Sequence, residues 1–370
     1  MQRNNSGPAV SLLYNRKSRH AFLLLAVTCA GLSVGLVAAR AGDQPRGSAS
    51  QPSTDLLTEL GEYRHKIIYE SNRDGNWELY LANADGSDPV NLTDTPNVDE
   101  LYPRPSPDGS KICFMADEGQ GSAKVRGVYY MNADGSGRTK VADNAREPCW
   151  SPGGGQIAYM KGELPRFVYT DFATQGLFIY NLKTGKTRQH THHGLYHLST
   201  LNWTPDGKWF IATVHGGMGF SHANVAIEAL GDRVVDLNLD GCRPNVLADG
   251  KKICWGHGDF CAGVADLDLE SYVPRAANIR DVVESSAPLE IYHVTWSPDG
   301  KYIAYAHGPK LQGKHINGQM AEFPGVAAPG WNICVADATR KNRWTPITAD
   351  GKSCKQPCWV VVKEPVSATP

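Results

Sequence analysis

A four-residue turn recurs along this chain and constrains its fold more than any other feature. Ser106-Pro107-Asp108-Gly109 returns as Ser151-Pro152-Gly153-Gly154, Thr204-Pro205-Asp206-Gly207, Leu247-Ala248-Asp249-Gly250 and Ser297-Pro298-Asp299-Gly300. Asp-Gly supplies the left-handed backbone that a tight hairpin needs. A short strand precedes each turn, often with Pro or Trp, as in Pro148-Cys149-Trp150 and Thr295-Trp296. An apolar strand follows, as in Ile112-Cys113-Phe114-Met115 and Ile303-Ala304-Tyr305. Such β-branched and aromatic residues fill half-buried strands. A third strand (Glu78-Leu79-Tyr80-Leu81), a second turn (Asn83-Ala84-Asp85-Gly86) and a fourth strand (Val90-Asn91-Leu92-Thr93) complete the unit.

Four strands at a period of roughly 40–50 residues mark a propeller blade. The spacing predicts an all-β chain, a six-bladed β-propeller of four-stranded antiparallel blades. The first repeat opens at Ile67 without an innermost strand, and Gln356-Pro357-Cys358-Trp359 is an innermost strand with nothing after it. The C-terminal strand is therefore expected to join the N-terminal blade, which protects the edges of the array. Between Phe220 and Pro244 two strand assignments stand open.

The organisation read from the chain is a leader (1–41), a flexible tether (42–62), the propeller (63–363) and a tail (364–370). Arg16, Lys17 and Arg19 precede an apolar run from Ala21 to Ala39, and Ala39-Arg40-Ala41 fits a cleavage site. The run reads as a signal peptide or as an uncleaved membrane anchor. Either way the protein is expected to be exported, to the periplasm or cell envelope, with membrane contact only through that segment. A net charge of −1 gives no electrostatic basis for binding nucleic acid. Setting Cys29 aside leaves eight of nine cysteines, an even number in a compartment that permits disulfides. Cys113, Cys254 and Cys334 lie in apolar strand runs and read equally well as small buried hydrophobes.

These motifs resemble the TolB-type "WSPDG" repeat, over residues 63–363. The resemblance implies the fold and no single function, since the repeat occurs in translocation proteins, peptidase propellers and lyases. TolB proper carries an α/β domain ahead of its propeller, whereas residues 42–62 alone separate leader and first blade here. A serine-hydrolase reading lacks a G-x-S-x-G elbow, and nucleotide chemistry lacks a Gly-rich phosphate loop.

The topology sorts residues between two faces. The Asp-Gly turns share one face. Long insertions, including 160–175, 215–224, 257–263 and 307–330, share the other, where variable loops on a rigid scaffold carry function. His215-Gly216, His257-Gly258 and His307-Gly308 each end the second strand of a blade. Symmetry would set their imidazoles at one height, a candidate metal set together with His293. The alternative is turn chemistry, with the glycine needed and the histidine incidental. The run His190-Thr191-His192-His193 reads as a solvated loop. On the innermost strands, Tyr102, Glu147, Thr200, Arg243, His293 and Gln356 occupy equivalent positions, a mostly polar ring suited to a channel.

His293, three residues before Trp296, also resembles the His-before-turn pattern of oligogalacturonate lyases. Those propellers hold a metal with His and Gln near the channel, which makes Gln356 the partner of His293. The resemblance implies a divalent ion (manganese, zinc or calcium) that acidifies a proton beside a uronic carboxylate held by Arg243. Arg243 and Glu147 are the catalytic candidates under that reading; as a pair across the channel they would simply satisfy each other. The leading expectation is a binding module that takes a protein, peptide or glycan at its His-rich loop face. The alternative is a metal-dependent lyase or hydrolase acting on uronate-containing polysaccharide.

Overall fold

The computed structural model describes residues 51–162, 174–190, 194–195, 197–310 and 320–363. The leader, Cys29, His192, His193, His315 and the tail lie outside them. The described residues form six four-stranded antiparallel sheets. Blade one holds β1 (Lys66–Ser71), β2 (Glu78–Asn83) and β3 (Val90–Asn91). Blade two runs β4 (Asp99–Pro105), β5 (Lys111–Glu118), β6 (Val125–Asn132) and β7 (Thr139–Asp143). Blade three runs β8 (Ala145–Trp150), β9 (Gln156–Gly162), β10 (Thr174–Asn181) and β11 (Lys186–Gln189). Blade four runs β12 (Ser199–Trp203), β13 (Trp209–Val214), β14 (Ala223–Glu228) and β15 (Val234–Asp236). Blade five runs β16 (Cys242–Val246), β17 (Lys252–Gly256), β18 (Cys261–Asp268) and β19 (Arg275–Glu284). Blade six runs β20 (Leu289–Trp296), β21 (Tyr302–Pro309), β22 (Asn332–Asp337) and β23 (Trp344–Pro346). β24 (Cys354–Val360) pairs with β1 and closes the ring, as expected. The irregular stretch 220–244 resolves into β14, β15 and the start of β16.

The turn chemistry explains the repeat. Ser106 Oγ donates to Asp108 Oδ1 at 2.7 Å, and Lys111 N–H donates to Ser106 Oγ at 2.9 Å. Thr204 with Asp206 and Ser297 with Asp299 repeat the first bond. Gly109, Gly154, Gly207, Gly250 and Gly300 close these turns at φ between +68° and +74°, where a Cβ is strained.

Alternation along each second strand sends side chains to both neighbouring blades. Ile67 and Tyr69 pack toward blade six, while Ile68 packs toward blade two. Each seam between adjacent blades thus has its own apolar cluster. The cysteines outside the leader are free thiols, and Cys113, Cys254 and Cys334 are buried.

Part of the stretch read as a tether is ordered. Thr54–Gly61 forms helix α1, whose Leu56 and Leu60 are fully buried at the seam of blades one and six. Their i, i+4 spacing puts both on one helix face. Arg343 pins the adjacent flank through Asp55 (2.8 Å) and Glu59 (2.6 Å). Composition alone pointed to Gly42–Ser53, and the leucine pair just beyond it carries the helical signal. Among the described residues, no helix is long and apolar enough to cross a membrane.

Candidate functional site

Each innermost strand carries an irregularity at the same place. Pairing registers shift between Leu101 and Arg104, Arg146 and Cys149, Ser199 and Asn202, Cys242 and Asn245, and Tyr292 and Thr295. β24 shows the same shift against β1, between Ile68 and Glu70. The bulged residues are Tyr102, Glu147, Thr200, Arg243, His293 and Gln356, with φ between +45° and +61°. These are the six ring positions read from the repeat. A non-glycine residue in this region costs roughly 1–2 kcal/mol. A bulge re-aims its side chain, and here all six line one cavity of about 460 Å³ on the loop face.

Other groups accept the backbone N–H of several bulges. Tyr102 N–H donates to Glu70 Oε2 at 2.9 Å, and Arg243 N–H donates to Thr213 Oγ1 at 2.9 Å. Thr200 N–H donates to the Glu147 carboxylate. Glu147 and Arg243 therefore take different partners. Arg243 Nη1 lies 3.2 Å from His293 Nε2, and its guanidinium stands over Tyr292, 5.0 Å from the ring centre. Burial disfavours the Arg243 charge, but Cys242 and Glu322 nearby outweigh that, and it stays a cation.

His293 is buried, and burial followed by the Arg243 charge holds its pKa well below the usual value. It is neutral at pH 7. Its Nε2 lies 2.7 Å from the Glu322 carbonyl oxygen and 3.1 Å from Gln356 Nε2. A metal ion on this nitrogen would need its lone pair and would sit beside the guanidinium. As placed here, His293 Nε2 is taken up by these contacts, while Gln356 Oε1 is buried with no hydrogen-bond partner among the described residues.

The His-Gly steps separate. His215 lines the cavity with His222, their ring centres 4.8 Å apart. Burial, His222 and Arg243 lower the His215 pKa to about 4. His257 Nδ1 lies 2.7 Å from Asp281 Oδ1 on β19. His307 Nε2 lies 3.0 Å from Ser285 Oγ and its ring abuts Trp344, centre to centre 5.4 Å. Thus His257 and His307 turn to the outer strands of blades five and six. Among the described residues, no group of three or more His, Cys, Asp or Glu could hold a metal ion.

Sequence reasoning put the 307–330 insertion on this face but missed what holds it over the cavity. Met320, Glu322, Phe323 and Pro324 line it. Lys355 is fully buried, and its ammonium donates to the carbonyls of Ala321 (3.0 Å), Val326 (2.7 Å) and Phe323. All three ammonium donors are satisfied. Glu70, also fully buried, lies 3.9 Å from Lys355 Nζ and accepts Gly325 N–H at 3.3 Å. Burial pulls the Lys355 pKa down and pushes that of Glu70 up. Glu70 directly after the apolar run Ile67-Ile68-Tyr69 was an available signal, whereas Lys355, between Cys354 and Gln356, carried none.

No family model matches the chain, and no curated protein matches its sequence. Solved structures do match its fold. Hydrazine synthase from Kuenenia stuttgartiensis aligns with a TM-score of 0.56 at 13% identity, over 82% of this chain and 47% of that one. This chain spans about half its length. A chain of a nidogen/laminin complex aligns at 0.54 and 9% identity, over 80% and 98%. Oligogalacturonate lyase in complex with manganese aligns at 0.44 and 12%, over 65% and 82%. A putative TolB from Agrobacterium tumefaciens aligns at 0.36 and 11%, over 81% and 99%. The first two share the fold alone, and the last two align too loosely to carry a residue role across.

Proposed function

We propose that this propeller is an exported interaction module that takes a polar segment of a protein, peptide or glycan partner into its loop-face mouth. One observation carries the reading: six non-glycine residues in left-handed conformations all line the same cavity. Such strain is retained where it positions side chains for a ligand. The cavity offers the Arg243 guanidinium, the Glu147 carboxyl group and the Phe323 ring as an apolar contact. Its size of about 460 Å³ suits a few residues of an inserted segment. The leader pattern ending at Ala41 supports export. The test is an array of acidic and neutral oligosaccharides and of peptides, probed with the parent protein, Arg243→Met and Glu147→Gln. The reading expects a bound class whose signal both variants lose. Equal binding by all three proteins would move the site away from the mouth.

A further inference from the structure

A second cavity, of about 440 Å³, opens at the other end of the channel, on the face of the Asp-Gly turns. The same six strands build it. Two residues beyond each left-handed position stand Arg104, Cys149, Asn202, Asn245, Thr295 and Cys358, and all six line it. One residue further come Trp150, Trp203, Trp296 and Trp359, and then a proline from each of four turns. The result is a funnel with a polar floor and walls of indole and pyrrolidine.

Most of the floor is satisfied from within. Asn245 Nδ2 donates to Asn202 Oδ1 at 2.9 Å, and Asn202 Nδ2 donates to the Pro244 carbonyl at 2.6 Å. Thr295 Oγ1 donates to the Pro357 carbonyl at 3.3 Å. Arg104 differs. It is only 9% exposed, its Nη1 donates to the carbonyl of its own neighbour Pro103 at 3.1 Å, and its other hydrogen-bond neighbours are the Tyr102 hydroxyl and the Cys358 thiol, not a carboxylate. Its guanidinium lies 3.9 Å from the centre of the Tyr102 ring. Among the described residues it has no ion pair within 4.0 Å. Buried charges are ordinarily paired, because desolvation without compensation is costly. A guanidinium presents a fork of donors that matches a carboxylate.

The geometry points to a binding site for a small organic acid, with its carboxylate on Arg104 and an alkyl or aryl body against the four tryptophans. The volume lies in the range of small-molecule pockets, and indole walls supply apolar area while excluding water. Arg104 abuts Tyr102 of the loop-face mouth, but the proposal does not depend on that cavity's role.

The test titrates the full-length protein with octanoate and, in parallel, with octanamide, a neutral probe of the same length. Binding is read by calorimetry and by tryptophan fluorescence. The expected result is saturable octanoate binding with a fluorescence change and about tenfold or greater weakening for octanamide, the effect of losing a charge-assisted hydrogen bond. Arg104→Met should weaken octanoate by a similar factor and leave octanamide unchanged. Absence of saturable octanoate binding overturns the proposal, as does equal affinity for acid and amide. The acid–amide comparison on the unmodified protein decides the matter if Arg104→Met fails to fold.

Discussion

Replacing Lys355 by Met tests how the roof over the loop-face cavity is held. The ammonium is fully buried and makes three hydrogen bonds, to the carbonyls of Ala321, Phe323 and Val326. Methionine keeps most of the volume and removes all three donors. It also leaves Glu70, fully buried 3.9 Å away, without its counter-charge. Breaking a buried charge pair from one side costs about 3–5 kcal/mol, most of it from the charge left behind. Lys355→Met should therefore lower unfolding stability by about that amount in urea titrations. Lys355→Met combined with Glu70→Gln should cost less than the sum of the single changes, since the stranded charge is gone. Amide hydrogen exchange over residues 320–326 should quicken in Lys355→Met, because the segment loses its anchor. A loss below about 1 kcal/mol with unchanged exchange over 320–326 would refute the reasoning.

Four further outcomes follow from the geometry. Glu100 is fully buried with Oε2 unpartnered, and burial raises its pKa to about 7 despite Thr95 and Arg138. The folded state thus holds the proton more tightly than the unfolded chain. This contribution is complete below the ordinary carboxylate range and is lost as pH rises toward 7, so Glu100→Gln should flatten the slope and stabilise at pH 8 by at most about 3 kcal/mol. Leu60→Ala should cost about 2–5 kcal/mol in thermal or urea unfolding, because it empties a fully buried site beneath α1. Thr200 is β-branched at φ +53°, and Asn tolerates that conformation, so Thr200→Asn should raise stability by about 1 kcal/mol. Reducing agent should leave the melting temperature unchanged, since the eight described cysteines are free.

The architecture was legible because it is written in local chemistry. An Asp-Gly turn, a strand before it and a strand after it need only neighbouring residues, and their repetition gave the blade unit, the closure and the equivalence of Tyr102, Glu147, Thr200, Arg243, His293 and Gln356. What those residues do was decided elsewhere. Their left-handed backbone arises from pairing registers across strands, and nothing in the residue types themselves announces it. The three His-Gly steps share a sequence position, yet His257 finds Asp281 on an outer strand and His307 finds Ser285 and Trp344, while only His215 reaches the cavity. Lys355 meets carbonyls about thirty residues away in the chain, and Arg104 sits over Tyr102 at the floor of a funnel built from every blade. Turns and strand alternation are set by short-range sterics and hydrogen bonding, which a sequence displays. The direction of a side chain near the axis depends on which distant group satisfies it, and only the closed ring brings those groups together.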